Sequence, residues 1–226
     1  MIFIESKKKK EKTLLAKYPN AKIVDVTSKA TNSLVKLSPF FPHGDIPIPF
    51  SDNTIGKSVE GIWQGLKVFK NYDIDKEKFL NDSMKDIKRT VRKYGTPLGH
   101  RKGINGEELL NYIDARIKIY LPIYLWVLEN KVKEIINKLK EASINDDIVL
   151  LDYETNCDVL NPKKPLSHAF LVKAFIEGKY PTEIELYKEL MERKNNPLED
   201  FESKKPITKI KNKKNSNNND NQTTLF

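Results

Sequence analysis

Between Ser58 and Phe69 the apolar and polar positions separate at helical spacing. Val59, Ile62, Trp63, Leu66 and Phe69 fall largely on one stripe, and Glu60, Gln64 and Lys67 at i, i+4 and i+7 fall on a narrow polar face. Ser58 precedes this predicted helix as an N-cap. A carboxylate, an amide and an ammonium in line on a helix otherwise built for burial read in two ways. They are a small polar site set into a core, or simply the helix's solvated side.

The same reading extends along the chain. A short apolar start, Ile2 to Ile4, precedes a basic helix near residues 6–17 that ends at Pro19-Asn20, and Lys22 to Thr27 alternates as a strand does. From Pro39 to Phe50 four prolines remove backbone donors, so this stretch is expected as an ordered, aromatic loop lying on other structure. A helix is predicted from about Asp75 to Tyr94, closed by Gly95-Thr96-Pro97. A long helical region follows from Glu107 to about Glu141, kinked or split at Pro122, with Ile113, Ile117, Tyr120, Leu121, Tyr124 and Leu128 as its core stripe. Ile148 to Leu151 is a buried strand, Asp152 to Asp158 a polar loop leaving it, and helices near Ser167–Gly178 and Thr182–Arg193 finish the domain. The pattern predicts a single helix-rich α+β domain with few short strands over residues 1–195.

Composition sets limits. The 226 residues, 38% hydrophobic and 31% charged, suffice for one domain with a core plus a tail. No run of apolar residues is long enough to cross a bilayer, and the start is too short for a signal peptide, so a cytoplasmic protein without membrane contact is expected. Cys157 stands alone, which excludes an internal disulfide and fits a reducing compartment. His43, His100 and His168 are not at metal-ligand spacing, so no metal is expected, and nothing calls for an organic cofactor.

The net charge of +9 is concentrated at the ends. Five lysines face two glutamates in residues 1–12, and six lysines face one aspartate in residues 203–226, leaving the domain nearly neutral. Inside the domain the dense basic cluster is Lys85, Lys88, Arg89, Arg92 and Lys93, followed by His100-Arg101-Lys102-Gly103. On the predicted helix Lys85, Lys88, Arg89 and Arg92 share a face. They serve either the helix dipole or a phosphate, with Arg89 and Arg92 the better phosphate ligands. Residues 196–221, rich in lysine and asparagine, read as a disordered linker. The closing Gln222-Thr223-Thr224-Leu225-Phe226 resembles the Gln-x-x-Leu-Phe peptide by which bacterial and phage DNA enzymes dock on the sliding clamp. That resemblance makes Gln222, Leu225 and Phe226 candidate partner-binding residues.

A second resemblance concerns the domain. Leu37-Ser38-Pro39-Phe40-Phe41-Pro42, followed by Glu60-x-x-Trp63-Gln64-x-x-Lys67, resembles the NADAR family of small N-glycosidases. Their signature is a "LSNFYP"-like loop and then a helix reading Glu-x-x-aromatic-Gln-x-x-Lys-Phe. Here Phe69 lies one place later than the family's phenylalanine, Pro39 replaces its asparagine, and the Trp-Gly that closes its last motif is missing after Asp158. Asp152 and Asp158 loosely match an acidic pair of that family, one residue further apart. The resemblance implies a hydrolase cleaving the N-glycosidic bond of an ADP-ribosylated or otherwise modified nucleotide, in DNA when the clamp-like tail is counted. Glu60 would be general base or nucleophile, with Lys67, Asp152 and Asp158 as further catalytic groups. Trp63, Gln64, Arg89, Arg92 and Phe41 would contact substrate, although core packing accounts for Trp63 equally well. An N-glycosidase of free phosphorylated riboflavin-pathway intermediates and a non-catalytic ADP-ribose or DNA-binding module are the alternatives.

Overall fold

The structure, a computed structural model, describes residues 1–195. It enters on β1 (Ile2–Ser6), crosses through α1 (Glu11–Lys17) and returns as β2 (Lys22–Asp25). These two strands do not pair with each other. A strand from far along the chain, Ile148–Asp152, lies between them and runs parallel to both, with Ile148 in register with Ile2 and with Lys22. A central parallel strand is covered on both faces, so it reads as a continuous apolar run rather than an alternation. All five of its residues are buried.

After a 3₁₀ turn at Ser33–Leu37 the proline-rich loop packs across the following helix and contributes β3 (Ile46–Pro47), antiparallel to β4 (Ile55–Gly56). Two hydrogen bonds seat this loop. The Tyr124 hydroxyl donates to the Leu37 carbonyl at 2.6 Å, and the Glu60 backbone N–H donates to the Pro39 carbonyl at 2.8 Å. Then come α2 (Val59–Gly65), β5 (Lys67–Phe69), α3 (Lys76–Leu80), α4 (Val91–Tyr94), β6 (Pro97–Arg101) and β7 (Leu109–Leu110), with β5, β6 and β7 forming an antiparallel sheet. The rest is mostly helical: α5 (Tyr112–Ala115), a π-helical turn at Arg116–Tyr120, α6 (Leu121–Asn130), α7 (Lys133–Asn145), the central strand as β8 (Ile148–Asp152), α8 (His168–Ile176) and α9 (Glu183–Asn195). The architecture is α+β, as the sequence pattern predicts. Met1–Leu190 is one compact unit; of the second, Met191–Phe226, only the end of α9 is described. No helix among the described residues is long and apolar enough to cross a membrane.

Several element boundaries differ from expectation. The helix predicted through Phe69 ends at Gly65, so Lys67 lies on β5 and not on the helix. The helix predicted from Asp75 to Tyr94 is two short helices, because Met84 and Asp86 adopt positive φ (58° and 53°) and the backbone cannot stay helical through them. Lys85, Lys88, Arg89 and Arg92 therefore share no helix face. His100-Arg101, which follow the basic cluster in sequence, belong to β6. Just ahead of Pro122, which lacks an N–H, the helix widens into the π turn, one way in which a helix absorbs such a break without ending.

Side chains on β8 alternate between two cores. Val149 and Leu151 pack with Leu14 of α1, whereas Ile148 and Leu150 join the main core beneath α6 and α8. The same alternation puts Asp152 on the main-core side, where the chain leaves the sheet.

Candidate active site

A cavity of about 460 Å³ opens at the carboxyl ends of β2 and β8, where Thr27 and Ser28 leave one strand and Asp152, Tyr153 and Glu154 leave the other. Crevices beyond the carboxyl ends of parallel strands are the usual ligand sites of such sheets. The volume suits a small organic ligand.

Helix α2 forms one wall. Ser58 caps it, its hydroxyl accepting from the Gly61 N–H at 3.0 Å. All seven residues of the helix are buried. Gly61 and Gly65 explain how. A Cβ at Gly61 would stand 2.5 Å from the Lys78 carbonyl oxygen, and one at Gly65 would stand 2.2 Å from the Phe79 ring, so only glycine lets α3 pack this closely. The glycine pair and the Glu60–Gln64 pair are both i, i+4. One faces α3 and the other faces the cavity. The polar residues are therefore a site set into the core and not a solvated face.

Within that site the hydrogen bonds run in one direction. Gln64 Nε2 donates to Glu60 Oε1 at 2.7 Å. Gln64 Oε1 accepts from Lys67 Nζ at 3.0 Å and from the Arg89 backbone N–H at 2.9 Å. Lys67 reaches Gln64 from β5, so a strand completes what the helical spacing suggested. Burial pulls the Lys67 pKa down, with Lys88 and Arg89 adding to the effect and Glu60 opposing it. Glu60 Oε2 takes no hydrogen bond from the described residues, which leaves it for a bound molecule.

A second buried carboxylate lies in the same lining. Asp152 Oδ2 accepts from the Ser167 hydroxyl at 2.8 Å, from His168 Nδ1 at 2.9 Å and from the Ala169 N–H at 3.3 Å. Its Oδ1 has only a long contact, 3.5 Å, from the Glu154 N–H. His168 Nε2 meets the Val26 carbonyl at 2.8 Å, so both ring nitrogens face acceptors, an arrangement that favours the imidazolium form. Burial alone would lower the His168 pKa, but the Asp152 charge and hydrogen bond raise it. Burial would raise the Asp152 pKa, but His168, Ser167 and Ala169 lower it.

Trp63 presents its ring at the wall, against His100 with centroids 3.8 Å apart and planes tilted by 30°, and edge-on to Tyr120 and Tyr112. Core packing and cavity lining are thus both its work. Burial drives the His100 pKa down to about 3, with Lys67 contributing, and neither ring nitrogen has a partner among the described residues. The ring is neutral and acts as a flat packing surface.

Of the residues singled out in the sequence, Glu60, Trp63, Gln64, Lys67, Arg89 and Asp152 come together here. Asp158, Arg92 and Phe41 do not line the cavity. Asp158 Oδ1 accepts from the Leu160 N–H at 2.9 Å and shapes a turn, Arg92 is exposed on α4, and Phe41 packs beside His43. Arg89 reaches the cavity, but its guanidinium donates to the carbonyls of Lys67 and Asp73 at 2.6 and 2.8 Å and lies against Phe69 and Tyr94. It braces β5 rather than offering its fork to a phosphate. The pattern missed His168, Ser167 and Arg116 as site residues, placed Tyr120 only in a core stripe, and named Lys88 only within the basic cluster. Arg116, fully buried, holds the chain beyond Asp152 through the carbonyls of Val159, Asn161 and Lys164. The one local signal for any of these is the Ser167 N-cap of α8. Gln222, Leu225 and Phe226 lie outside the described residues.

Residues 6–172 match a family of unknown function, DUF6939. The chain belongs to this family. No curated protein matches it. The DUF6939 match spans every element that lines the cavity, from Thr27 to His168. Among the described residues of this DUF6939 chain no cluster of His, Cys, Asp and Glu is arranged to hold a metal ion.

Proposed function

We propose that this chain is an N-glycosidase, hydrolysing the bond between a sugar and a base in an ADP-ribosylated or otherwise modified nucleotide, with DNA as the carrier. The observation that carries this reading is a buried glutamate in a ligand-sized cavity, gripped at one oxygen by Gln64 and open at the other. Its support in sequence is the resemblance of the Ser38–Pro42 loop and of Glu60-x-x-Trp63-Gln64-x-x-Lys67 to the NADAR signature.

Cleavage places positive charge on the anomeric carbon and negative charge on the departing base. In this reading Glu60 Oε2 takes a proton from water as the water oxygen bonds to that carbon. The carbon–nitrogen bond breaks, its electron pair leaves with the base, and the base takes a proton from solvent. Asp152, kept ionised by His168, offers Oδ1 to sugar hydroxyls and adds negative charge near the cationic centre. Lys67 and the exposed Lys88 at the rim take the phosphate role that Arg89 does not fill. A sliding clamp, docked through Gln222, Leu225 and Phe226, would bring the enzyme to DNA. Clamp pull-down should be lost when residues 222–226 are removed.

The test is incubation with an ADP-ribosylated DNA oligonucleotide and its unmodified counterpart, with mass spectrometry of the released sugar and base. Release from the modified strand alone is expected. Cleavage only of free phosphorylated nucleosides would move the substrate out of DNA. Tight binding without release would make the chain a binding module.

A further inference from the structure

We infer that Gln64 is a positioning residue that keeps Glu60 Oε1 as a hydrogen-bond acceptor and leaves Oε2 alone to exchange protons at the substrate, and that the main-chain N–H of Arg89 sets this polarity. The inference rests on the Glu60 role proposed above. Gln64 Oε1 accepts from the Arg89 N–H at 2.9 Å and from Lys67 Nζ at 3.0 Å. The Arg89 N–H is a buried donor, and turning the amide over would set N–H against N–H twice, once at Arg89 and once at Lys67. The amide is therefore locked with Nε2 toward Glu60, and at 2.7 Å that N–H needs an unprotonated oxygen. Proton exchange during turnover is confined to Glu60 Oε2. An amide suits this place because it accepts on one side and donates on the other, with no proton of its own to give up.

The charged and titratable groups facing the pair are Lys67 on β5, Lys88 and Arg89 ahead of α4, and Tyr120 on the π turn; Tyr112, Arg116, Asp152, Glu154 and His168 share the cavity lining, and His100 on β6 lies behind Trp63. All remain in place when the amide alone is changed, which makes Gln64→Glu a clean probe. The new carboxyl keeps an oxygen for Lys67 and Arg89, while its second oxygen faces Glu60 Oε1 and the two must share a proton.

With the ADP-ribosylated oligonucleotide as substrate, Gln64→Glu should move the acidic limb of the kcat profile upward by about one pH unit or more. Below the shifted limb it should lower kcat about tenfold for each pH unit of the shift, with KM nearly unchanged, and the rate should recover as pH rises above the limb. A limb at the wild-type position, or a loss by the same factor at every pH, overturns the inference. A second measurement needs no variant. In the wild-type chain the Gln64 side-chain amide protons, followed by NMR, should exchange slowly and shift over the pH range of the acidic limb; signals indifferent to that range also overturn it. The two claims fail separately. A Glu60→Gln chain with wild-type turnover removes the role of Glu60 itself, whereas an inactive Glu60→Gln beside an unshifted Gln64→Glu removes only the role given to Gln64.

Discussion

Glu5 and Asp152 occupy opposite faces of the same three-stranded sheet, both buried, yet their surroundings differ in kind. On the α1 face, Glu5 Oε1 accepts from Lys17 at 2.7 Å and from the Tyr18 hydroxyl at 3.1 Å, while Oε2 accepts from Lys9. Both oxygens are satisfied by groups close in sequence. On the other face, Asp152 has three donors on one oxygen and a single long contact on the other, at the lining of a cavity it shares with the half-partnered Glu60. A carboxylate that fastens a helix uses all its lone pairs internally. One that meets a ligand keeps some in reserve and is buried by neighbours that fix its charge. The first arrangement is a clasp and the second a site.

The largest effect should come from breaking the Asp152–His168 pair. His168→Leu leaves a buried carboxylate without its counter-charge, and urea denaturation should show a loss of about 3–5 kcal/mol. A loss below about 1 kcal/mol would mean that Asp152 is effectively solvated. The pair also carries a pH signature. His168 has a folded pKa above its ordinary 6.5, so its contribution is complete below 6.5 and fades as pH rises through the raised value. Wild-type stability should therefore fall on the alkaline side, and His168→Leu should lack that slope.

Next is the packing that aims the α2 polar pair at the cavity. Gly65→Ala drives a Cβ into the Phe79 ring and should cost roughly 1–3 kcal/mol despite alanine's better helix propensity. Turnover should fall with it if α2 tilts. A stabilised Gly65→Ala chain would show that α3 can move aside without consequence.

The clasp should yield the smallest effect. Glu5→Gln should cost on the order of 1 kcal/mol, because Lys9 and Lys17 stand largely in water and screening weakens their pairs. Burial would raise the Glu5 pKa, but hydrogen bonds from Lys17, Lys9 and Tyr18 bring it down to about 2 from an ordinary 4.5. A depressed carboxylate stabilises above pH 4.5 and loses that contribution as pH falls toward 2, so the acid-side slope of the wild type should shrink in Glu5→Gln. An acid limb identical in the two chains would assign it to other carboxylates.

How much of this was legible in the sequence depends on how local each feature is. The cap at Ser58, the Glu60–Gln64 pair and the apolar β8 run are written in adjacent residues, and the structure keeps them. The end of α2 was marked by Gly65 but masked by the apolar Leu66 and Phe69, which extend the helical pattern although the chain has already turned into β5. Residues 81–90 include Asn81, Asp82, Ser83 and Asp86, poor helix formers that the basic spacing of Lys85, Lys88, Arg89 and Arg92 masks, and tertiary contacts hold the segment in a bent path, with Ile87 buried and Arg89 bound to Gln64, Lys67 and Asp73. His168 and Arg116 had no local signature, because their roles exist only once α8 and the π turn are placed against β8 and the loop that follows it.

The open carboxylate of the cavity is proposed to do chemistry that the saturated one does not. Steady-state turnover and denaturation midpoint should be measured side by side for Glu60→Gln and Glu5→Gln on the ADP-ribosylated oligonucleotide. The account predicts that Glu60→Gln loses at least about a hundredfold in kcat while unfolding near the wild-type midpoint, and that Glu5→Gln turns over normally with a lowered midpoint. Wild-type turnover in a folded Glu60→Gln chain would contradict it.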